Sequence, residues 1–323
     1  MFLSLLVSAS LSIASSDVHQ FGYFWDAIDK DHVEEKILAA REEIRGQKEH
    51  WRNKVDMFLH SSELIFSPDG VGGVYFLSPL YVIKPEDENI LSLHNPRHFG
   101  SPFSGKEHGP RTSIAGYESS QRDALCYEVA KILGMERITP QTVMGIVTSE
   151  QFFGEGDKEK LCSIQEYLPD TISLYDFIKQ DGDTALIDQE DYEMANIFVW
   201  VIFDNDAHPR NFRLYQKGSL WGIKKIDNSL SFPEKNKNLT NFLPLLPQGQ
   251  NKLSFIAKQK IIDIPLDKIE EKMLYFELPK LAIESMKARI RFLEELVGTE
   301  DLTFAQIEER LIAKEPLAVH QDP

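Results

Sequence analysis

The sequence is poor in cysteine, in basic residues relative to acidic ones, and in long apolar runs. Its 323 residues include only Cys126 and Cys162. Two cysteines without metal-type spacing exclude a disulfide framework and a cysteine-based zinc site, so we expect two buried thiols. Lysine and arginine number 35 against 51 acidic residues, which gives a net charge of −16 and disfavours nucleic acid and anionic membrane surfaces as partners. No internal run reaches the roughly 20 apolar residues that a membrane-spanning helix needs.

The remaining composition is that of a folded protein. Hydrophobic residues make up 42% of the chain and charged residues 27%, which is ordinary for a globular protein, and the length suffices for one two-lobed unit. Residues 1–16 have an apolar centre, but no lysine or arginine precedes it. A disordered leader or an export segment is therefore favoured over a cleaved signal peptide.

The segment Asp206–Asn211, with the sequence Asp-Ala-His-Pro-Arg-Asn, is the strongest functional signal. It follows an apolar stretch and is followed, beyond a predicted hairpin, by Asp227. In ATP-dependent phosphoryl transfer one carboxylate orients the acceptor, while an asparagine and a second aspartate hold magnesium. The pattern predicts Asp206 as the catalytic acid and Asn211 and Asp227 as metal ligands, although the same residue types also form ordinary turns.

A glycine-rich turn lies upstream of this segment. Gly70, Gly72 and Gly73 precede one predicted strand, and a second strand ends at Lys84. Glycines let backbone N–H groups approach phosphates closely, and a strand lysine behind them can neutralise the phosphates of ATP. A glycine turn or a lysine at the end of a strand, taken alone, is also common in hairpins that bind no ligand. The prediction of a nucleotide site therefore rests on their joint occurrence with the two acids and the amide.

Together these segments resemble the phosphatidylinositol 3-/4-kinase superfamily, and most closely the type II phosphatidylinositol 4-kinases and their bacterial relatives. The resemblance is carried by Gly70–Phe76, Val82–Pro85, Ile138–Thr142, Asp206–Asn211, Ile226–Pro233 and Leu246–Gln248. It implies an α+β, two-lobed, protein-kinase-like fold, with a small β-rich N-terminal lobe and a larger, mostly helical C-terminal lobe. It also implies ATP as the phosphate donor, Mg²⁺ or Mn²⁺ as the metal, and Lys84 as the residue that contacts the ATP phosphates.

The resemblance also implies a carboxylate that pairs with the phosphate lysine. The predicted helix over residues 118–133 offers Asp123, at a position where relatives usually have glutamate. A carboxylate on this helix fixes the position of the lysine in kinases. We expect Asp123 to pair with Lys84. Because aspartate is one methylene shorter than glutamate, Glu118 and Glu128 remain alternatives.

Two further site assignments follow from the same comparison. Glu166 and Leu168 end a predicted strand at the link between the lobes, where the resemblance implies that backbone groups hydrogen-bond adenine. His208 lies inside the candidate catalytic segment. We expect it either to orient the loop and stabilise transition-state charge, or to be a hydrogen-bonded structural histidine.

The acceptor is the least defined part of the prediction. Ala207 stands where the superfamily commonly has arginine, and residues 89–116 contain no cysteine, whereas the type II lipid kinases carry a palmitoylated cysteine cluster there. The resemblance implies a phosphoinositide head-group hydroxyl as the acceptor and a peripheral contact with the membrane. A protein hydroxyl, or a catalytically inactive pseudokinase, are the alternatives. Lys235 and Lys237 are candidates for contact with a phosphorylated head group or an acidic protein.

The domain organisation follows from the motifs and the periodicity. We expect a leader (1–16), a helical extension (17–60), an N-terminal lobe (61–168), a C-terminal lobe (169–314) and a tail (315–323). Apolar periodicity predicts an amphipathic helical region over residues 24–58, further helices over 173–180 and 192–203, and a helical C-terminal region. Because ATP is found in cytoplasm, we expect a cytoplasmic location or, for a bacterial effector, export into a host cell.

Overall fold

A computed structural model describes residues 45–68, 72–88, 118–152, 158–235 and 239–313. Within these ranges an N-terminal lobe is built on a six-stranded sheet, and a larger C-terminal lobe is mostly helical. This architecture confirms the expected α+β, two-lobed, kinase-like fold class. Among the described helices, none combines the length and the apolar character that crossing a bilayer demands.

The elements are numbered here in chain order. The strands are β1 (Met57–His60), β2 (Ile65–Phe66), β3 (Tyr75–Leu77), β4 (Tyr81–Pro85), β5 (Thr142–Thr148), β6 (Glu159–Glu166), β7 (Ile172–Ser173), β8 (Phe212–Lys217) and β9 (Leu220–Lys225). The helices are α1 (residues 45–52), α2 (Ser119–Ile132), α3 (Leu174–Lys179), α4 (Gln189–Ile202), α5 (Phe255–Ile262), α6 (Leu266–Tyr275), α7 (Lys280–Thr299) and α8 (Phe304–Ala313).

The sheet of the N-terminal lobe has the strand order β1-β5-β6-β4-β3-β2. β1 pairs with β5 in parallel, and every other neighbouring pair is antiparallel. Side chains alternate along a strand, so Ile83 on β4 enters a small apolar core with Tyr75 and Ile164, while Lys84 turns to the other face. Helix α2 packs against β5 and β6. The sheet and α2 thereby enclose the lysine predicted to contact ATP.

The helical region expected over residues 24–58 does not extend to its predicted end. Met57–His60 form β1, in parallel register with β5, and the burial of its side chains alternates as in an edge strand. The prediction of helix at Phe58 is wrong because the edge of β5 supplies backbone partners that apolar periodicity alone cannot reveal. Residues 24–44 lie outside the described ranges.

Helix α4 is the central element of the C-terminal lobe. All residues from Asp191 to Ile202 are buried, as expected for a helix that is apolar nearly all round. Asp188 caps the N-terminus by accepting a hydrogen bond from the Asp191 N–H, and the helix ends at Phe203, whose φ of 50° is left-handed. The chain then enters residues 204–211, here called the catalytic loop because the sequence predicts the catalytic acid in it. A fully packed helix therefore holds the start of this loop in place.

The other predicted elements are present with small shifts in their ends. The structure contains the strand β6, the hairpin β8–β9, the helices α2, α3 and α4, and the helical C-terminal region, which is α5–α8. Gly134, with a φ of 63°, lies just beyond the end of α2, where glycine tolerates the left-handed backbone. Cys126 and Cys162 are free and buried, as expected.

Helix α1 bridges the two lobes. On the N-terminal lobe, Arg52 Nη2 donates to Glu159 Oε2 at 3.2 Å. On the C-terminal lobe, the Trp51 ring lies 5.7 Å from that of Phe276, and only 1% of Trp51 is exposed. Ion pairs from the end of α1 to Glu277 add to the second contact. The helical extension therefore links the two lobes by direct side-chain contacts.

We expect Trp51→Ala to lower the free energy of unfolding by about 3 kcal/mol, because it empties a buried aromatic site between the lobes. Urea denaturation followed by circular dichroism measures this loss. The control is Phe58→Ala, at a position that is 50% exposed, and it should change the free energy by less than about 1 kcal/mol. If the two substitutions lowered the free energy of unfolding equally, the packing of α1 between the lobes would not stabilise the protein.

Glu308 on α8 is a buried carboxylate in the C-terminal lobe. Its Oε2 accepts a hydrogen bond from the indole nitrogen of Trp200 and another, at 3.4 Å, from Asn241 Nδ2. Burial raises the pKa of Glu308 from 4.5 to about 7, although both hydrogen bonds oppose that rise. The folded state thus keeps a proton on Glu308 over a pH range in which the unfolded chain releases it.

The stability that this proton provides is present below about pH 4.5 and is lost as the pH rises through about 7. Glu308→Gln removes the titration, so the difference in unfolding free energy between variant and wild type should grow with pH over this window. The change is on the order of 3 kcal/mol at most. Urea denaturation at a series of pH values measures it. Buried Glu86, whose pKa is also raised to about 7, leaves a residual slope in the variant, and identical slopes in both proteins would contradict the assignment.

Candidate functional site

Lys84 lies between two carboxylates that are distant in the sequence. Its Nζ is 3.0 Å from Asp123 Oδ2 on α2 and 2.9 Å from Asp227 Oδ1, which follows β9. Burial alone would lower the pKa of Lys84, but the two carboxylates outweigh it and raise that pKa above its ordinary value. Lys84 is therefore a permanent cation at the junction of the two lobes.

Asp123 is the carboxylate that pairs with the lysine, as predicted. It is fully buried, and besides Lys84 it accepts hydrogen bonds from Ser163 Oγ at 3.1 Å and from the Asn228 N–H at 2.9 Å. A short side chain is sufficient because α2 lies directly on the sheet. Asp123 thereby connects β4, β6 and the segment after β9.

The two alternative carboxylates on α2 have other partners. Glu118 pairs with Arg122, and Glu128 pairs with Lys131 and with Lys272 on α6. Neither of these ion pairs involves Lys84. The choice left open by the sequence is thus decided in favour of Asp123.

Arg122 makes buried contacts that were not predicted from the sequence. It is fully buried, and its guanidinium donates to the carbonyl oxygens of Ser231, at 2.9 Å, and Phe232. The segment 228–232 is therefore attached to α2 through Arg122 as well as through Asp123. The sequence carries no signal for this role, because an arginine on an amphipathic helix is usually solvated.

Within the catalytic loop, Asn211 turns back onto Asp206. Asn211 Nδ2 donates to the Asp206 carbonyl at 2.8 Å and to its Oδ2 at 3.3 Å. The backbone carbonyl of Asn211 also accepts from the Ile226 N–H at 2.9 Å, which places Asn211 beside the residue that precedes Asp227. The predicted acid, amide and second acid are thus brought together at one end of the β8–β9 hairpin.

His208 makes a structural hydrogen bond, which was one of the two alternatives, and its ring also lies near Asp206. Its Nδ1 accepts from the Arg210 N–H at 3.2 Å, which caps the short 3-10 helix Pro209–Asn211. Its Nε2 lies 3.7 Å from Asp206 Oδ2. Because Nδ1 acts as an acceptor, the proton of the neutral ring is on Nε2 and faces Asp206. The structural hydrogen bond therefore orients the ring toward the candidate catalytic acid.

A second buried ion pair supports the catalytic loop, and the sequence analysis missed it. Lys225 Nζ lies 2.5 Å from Asp204 Oδ2, and both side chains are fully buried. Lys225 also donates to the carbonyls of Ile226 and Asp227, at 2.7 and 3.1 Å, while Asp204 Oδ1 accepts from the Asp206 N–H at 2.8 Å. Alternation along β9 was a usable signal, because Lys225 lies on the same face as the buried Ile223.

Asp227 has an unusual backbone and a partly buried carboxylate. Its φ of 58° is left-handed, a conformation that non-glycine residues adopt at some energetic cost and often at functional sites. The side chain is 42% exposed. Burial of the group would raise the pKa of Asp227, but Lys84, Lys225 and His208 outweigh this and lower it to about 2. Asp227 is therefore ionised at any physiological pH.

The donor set of Asn211 and Asp227 fits a hard divalent cation. Carboxylate and amide oxygens are the protein ligands that Mg²⁺ takes, usually with few protein groups and several waters or phosphate oxygens. The Asp227 side chain is 42% exposed, and the N–H of Ile226, which precedes it, donates to the Asn211 carbonyl at 2.9 Å. Within the described ranges no group of three or more histidine, cysteine, aspartate or glutamate side chains is placed to hold a metal ion, so a metal here would be held by Asp227, Asn211 and non-protein oxygens.

The glycine turn is only partly described. Gly70 lies outside the described ranges, and Gly72 is half-buried. The Gly73 N–H donates to the Glu88 carbonyl at 2.7 Å, and a Cβ at this position would overlap the Glu88 side chain. Gly73 is therefore required for close packing against Glu88, and its N–H already has a partner within the protein. Contact between this turn and phosphate remains a prediction for Gly70 and Gly72.

The link between the lobes, at residues 166–171, is held by hydrogen bonds of its own backbone. The Glu166 N–H donates to the Gln141 carbonyl at 2.8 Å, and the Leu168 carbonyl accepts from Thr171 Oγ1 at 3.0 Å. The Leu168 N–H donates to no other residue in the described part of the chain. Contact of Glu166 and Leu168 with adenine remains a prediction, and the Leu168 N–H is the donor that fits it.

Some residues named from the sequence lie outside the site as described. Lys235 is exposed, and Lys237 falls outside the described ranges, as do residues 89–117. The fold is two-lobed and kinase-like. It brings Lys84, Asp123 and Asp227 into direct contact, and it places Asp206 and Asn211 on a loop bonded to the residue before Asp227.

Comparison with solved structures gives low sequence identity throughout. A proinflammatory kinase CtkA of Helicobacter pylori is 8% identical with a TM-score of 0.41, over 79% of this chain and 99% of that chain. The structure of hydra Fam20 with sugar is 12% identical with a TM-score of 0.40, over 78% of this chain and 88% of that one. A chain of the Shewanella oneidensis MR-1 toxin–antitoxin complex of HipA, HipB and operator DNA is 10% identical with a TM-score of 0.34. The match covers 77% of this chain and 68% of that chain.

No protein-family model and no curated protein sequence matches the chain. At the identities and TM-scores above, the structural likenesses assign no activity to it. The functional argument therefore rests on the geometry of this chain's own residues.

We expect Lys225→Met to destabilise the protein by about 3–5 kcal/mol, because it leaves Asp204 as a buried charge without its counter-ion. Urea denaturation measures the loss. The matched control is Lys252→Met, which removes an exposed ion pair with Asp301 and should cost less than about 1 kcal/mol. A double variant, Asp204→Leu with Lys225→Met, should recover part of the loss. The assignment is wrong if the Lys225 and Lys252 variants are equally stable.

Proposed function

We propose that the protein is an ATP- and Mg²⁺-dependent phosphotransferase of the phosphatidylinositol 3-/4-kinase-like type, which transfers the γ-phosphate to a phosphoinositide head-group hydroxyl. The observation that supports this most directly is the double ion pair of Lys84 with Asp123 and Asp227. It joins a strand of one lobe, a helix of the same lobe and the candidate metal-binding segment of the other. Such a junction is what a kinase needs for holding a triphosphate between its lobes.

Lys84 serves as the phosphate-binding cation in this proposal. Asp123 is held by Ser163 and by the Asn228 N–H, so it keeps the ammonium group in place when a triphosphate replaces Asp227 as the second partner. Lys84 stays charged because both carboxylates favour the protonated form. A fixed cation at this point neutralises phosphate charge without reorganisation.

Asp206 orients the acceptor hydroxyl and accepts its proton. Asn211 Nδ2 and the Asp204 carboxylate fix the loop around it, and the Nε2 proton of His208 faces the carboxylate. Magnesium or manganese, held by Asn211 and Asp227, would supply positive charge to the phosphate oxygens of ATP. The low pKa of Asp227 keeps this ligand ionised.

The choice of acceptor rests on the resemblance, above all on the segment from Ile226 to Pro233. Two observations favour a protein hydroxyl as the second candidate. The net charge of −16 opposes binding to an anionic membrane surface, and residues 89–116 lack the cysteines that anchor type II lipid kinases. We propose that the enzyme works in cytoplasm, its own or that of a host, where ATP is available.

We expect Asp206→Ala to reduce the rate of phosphate transfer from radiolabelled ATP at least about 1,000-fold, because the acceptor hydroxyl loses its base and its orientation. Acceptors are phosphatidylinositol in phosphatidylcholine vesicles and a mixture of soluble proteins, assayed in parallel with Mg²⁺. The control, Asp263→Ala, removes an exposed acid at the end of α5 and should transfer at the wild-type rate.

The outcomes separate the candidate functions. Label in the lipid alone supports the proposal, whereas label in protein alone supports the second candidate. Nucleotide-dependent thermal stabilisation without transfer to either acceptor identifies a pseudokinase. Full activity of the Asp206 variant would refute the assignment of the catalytic acid.

A further inference from the structure

Arg210 is a cation of the catalytic loop that the proposed mechanism does not use. Its guanidinium carbon lies 4.0 Å from the centre of the Tyr175 ring. Tyr175 belongs to the first turn of α3, which follows the link between the lobes by a few residues. Arg210 therefore lies where the catalytic loop meets the first turn of α3, two residues after His208.

Arg210 is exposed and has no acidic partner within the described ranges. In contrast, Arg52 pairs with Glu159, and Arg137 pairs with Glu190 and Asp191. The chain has 51 acidic and 35 basic residues, yet this arginine, four positions after Asp206, has no acidic partner among the described residues. Its guanidinium is held against the Tyr175 ring by a cation–π contact, and no side chain of the described residues accepts a hydrogen bond from it.

The neighbouring position in the loop cannot supply this charge. Ala207, which replaces the arginine common in the resembling superfamily, is fully buried. Its backbone forms a bridge with Asn241, and its carbonyl accepts from the Phe242 N–H at 3.1 Å. A long cationic side chain at 207 would have to enter this packed region. The exposed positive charge of the loop therefore comes from Arg210, three residues later.

An anionic acceptor needs such a charge in this protein. The net charge of −16 and the Asp206 carboxylate both repel an approaching phosphate. A guanidinium presents parallel N–H donors that match two phosphate oxygens, whereas an ammonium offers a point charge. Held against the Tyr175 ring, the guanidinium of Arg210 also loses less conformational freedom on binding.

We propose that Arg210 is a specificity-determining residue that binds a phosphate of the inositol head group of the acceptor. This inference rests on the proposed phosphotransferase function and specifies its substrate class as an inositol that already carries phosphate, either in a lipid or as the free head group. Arg210 thus selects the acceptor, while Asp206 acts on the hydroxyl.

The test compares Arg210→Glu and Arg210→Lys with wild type. The acceptor is phosphatidylinositol in phosphatidylcholine vesicles, and soluble inositol bisphosphate is the competitor. We expect Arg210→Glu to raise both the KM for the lipid and the inhibition constant of inositol bisphosphate about 10- to 100-fold, while kcat falls less than about 3-fold. Arg210→Lys should give an intermediate KM. The control, Arg291→Glu on α7, makes the same charge change at an exposed site and should leave KM at the wild-type value.

Each outcome decides the proposal. Weakened inhibition by inositol bisphosphate together with a raised KM for the lipid supports a head-group site. An effect on the lipid alone would assign Arg210 to the membrane surface and overturn it. Unaltered KM values, or an effect confined to an acidic peptide acceptor, would also overturn it. If wild type transfers no phosphate, the proposed function fails, but calorimetric titration with inositol bisphosphate still tests whether Arg210→Glu abolishes head-group binding.

Discussion

The ammonium group of Lys84 is the interaction on which the rest of the site depends. It is the counter-ion of Asp123, which is fully buried, and of Asp227, whose backbone is held in a left-handed conformation. Without the cation these two carboxylates would repel each other across a region of low dielectric. With it, β4, α2 and the segment after β9 are fixed at one point. The positions of Asn211 and Asp206 follow, because their loop is bonded to the end of the same hairpin.

Three further contacts connect the elements around Lys84 to the rest of the two lobes. Arg122 attaches α2 to the carbonyls of residues 231 and 232, and the pair of Lys225 with Asp204 attaches the hairpin to the start of the catalytic loop. Helix α1 contacts both lobes. Each buried charge in these links is balanced by an opposite charge or by carbonyl oxygens, which is the condition for burying it at all. A change at α2 is therefore transmitted to both the lysine and the candidate metal ligands.

Much of this arrangement could be predicted from residue type and spacing. The helix that carries Asp123 and the hairpin leading to Asp227 follow from local patterns, the family resemblance implies the two-lobed fold class, and the structure contains all three. The helix expected at Phe58 is a strand, because β5 supplies partners for its backbone. Gly73 has its N–H bonded to Glu88, although its type suggested phosphate contact. Phosphate contact by Gly70 and Gly72 and adenine contact by Glu166 and Leu168 remain predictions.

The sequence by itself was enough to predict phosphoryl-transfer chemistry, because an acid, an amide, a second acid and a strand lysine in that order are recognisable without coordinates. Only the tertiary structure decided which groups meet. Lys84 contacts a carboxylate 143 positions away, and Arg122 contacts a carbonyl 109 positions away. The tertiary structure also showed that Asp123, and not Glu118 or Glu128, pairs with Lys84. It showed further that Lys225 is buried while Arg210 is exposed. These outcomes depend on desolvation and on neighbours from other elements, and neither quantity is contained in local periodicity.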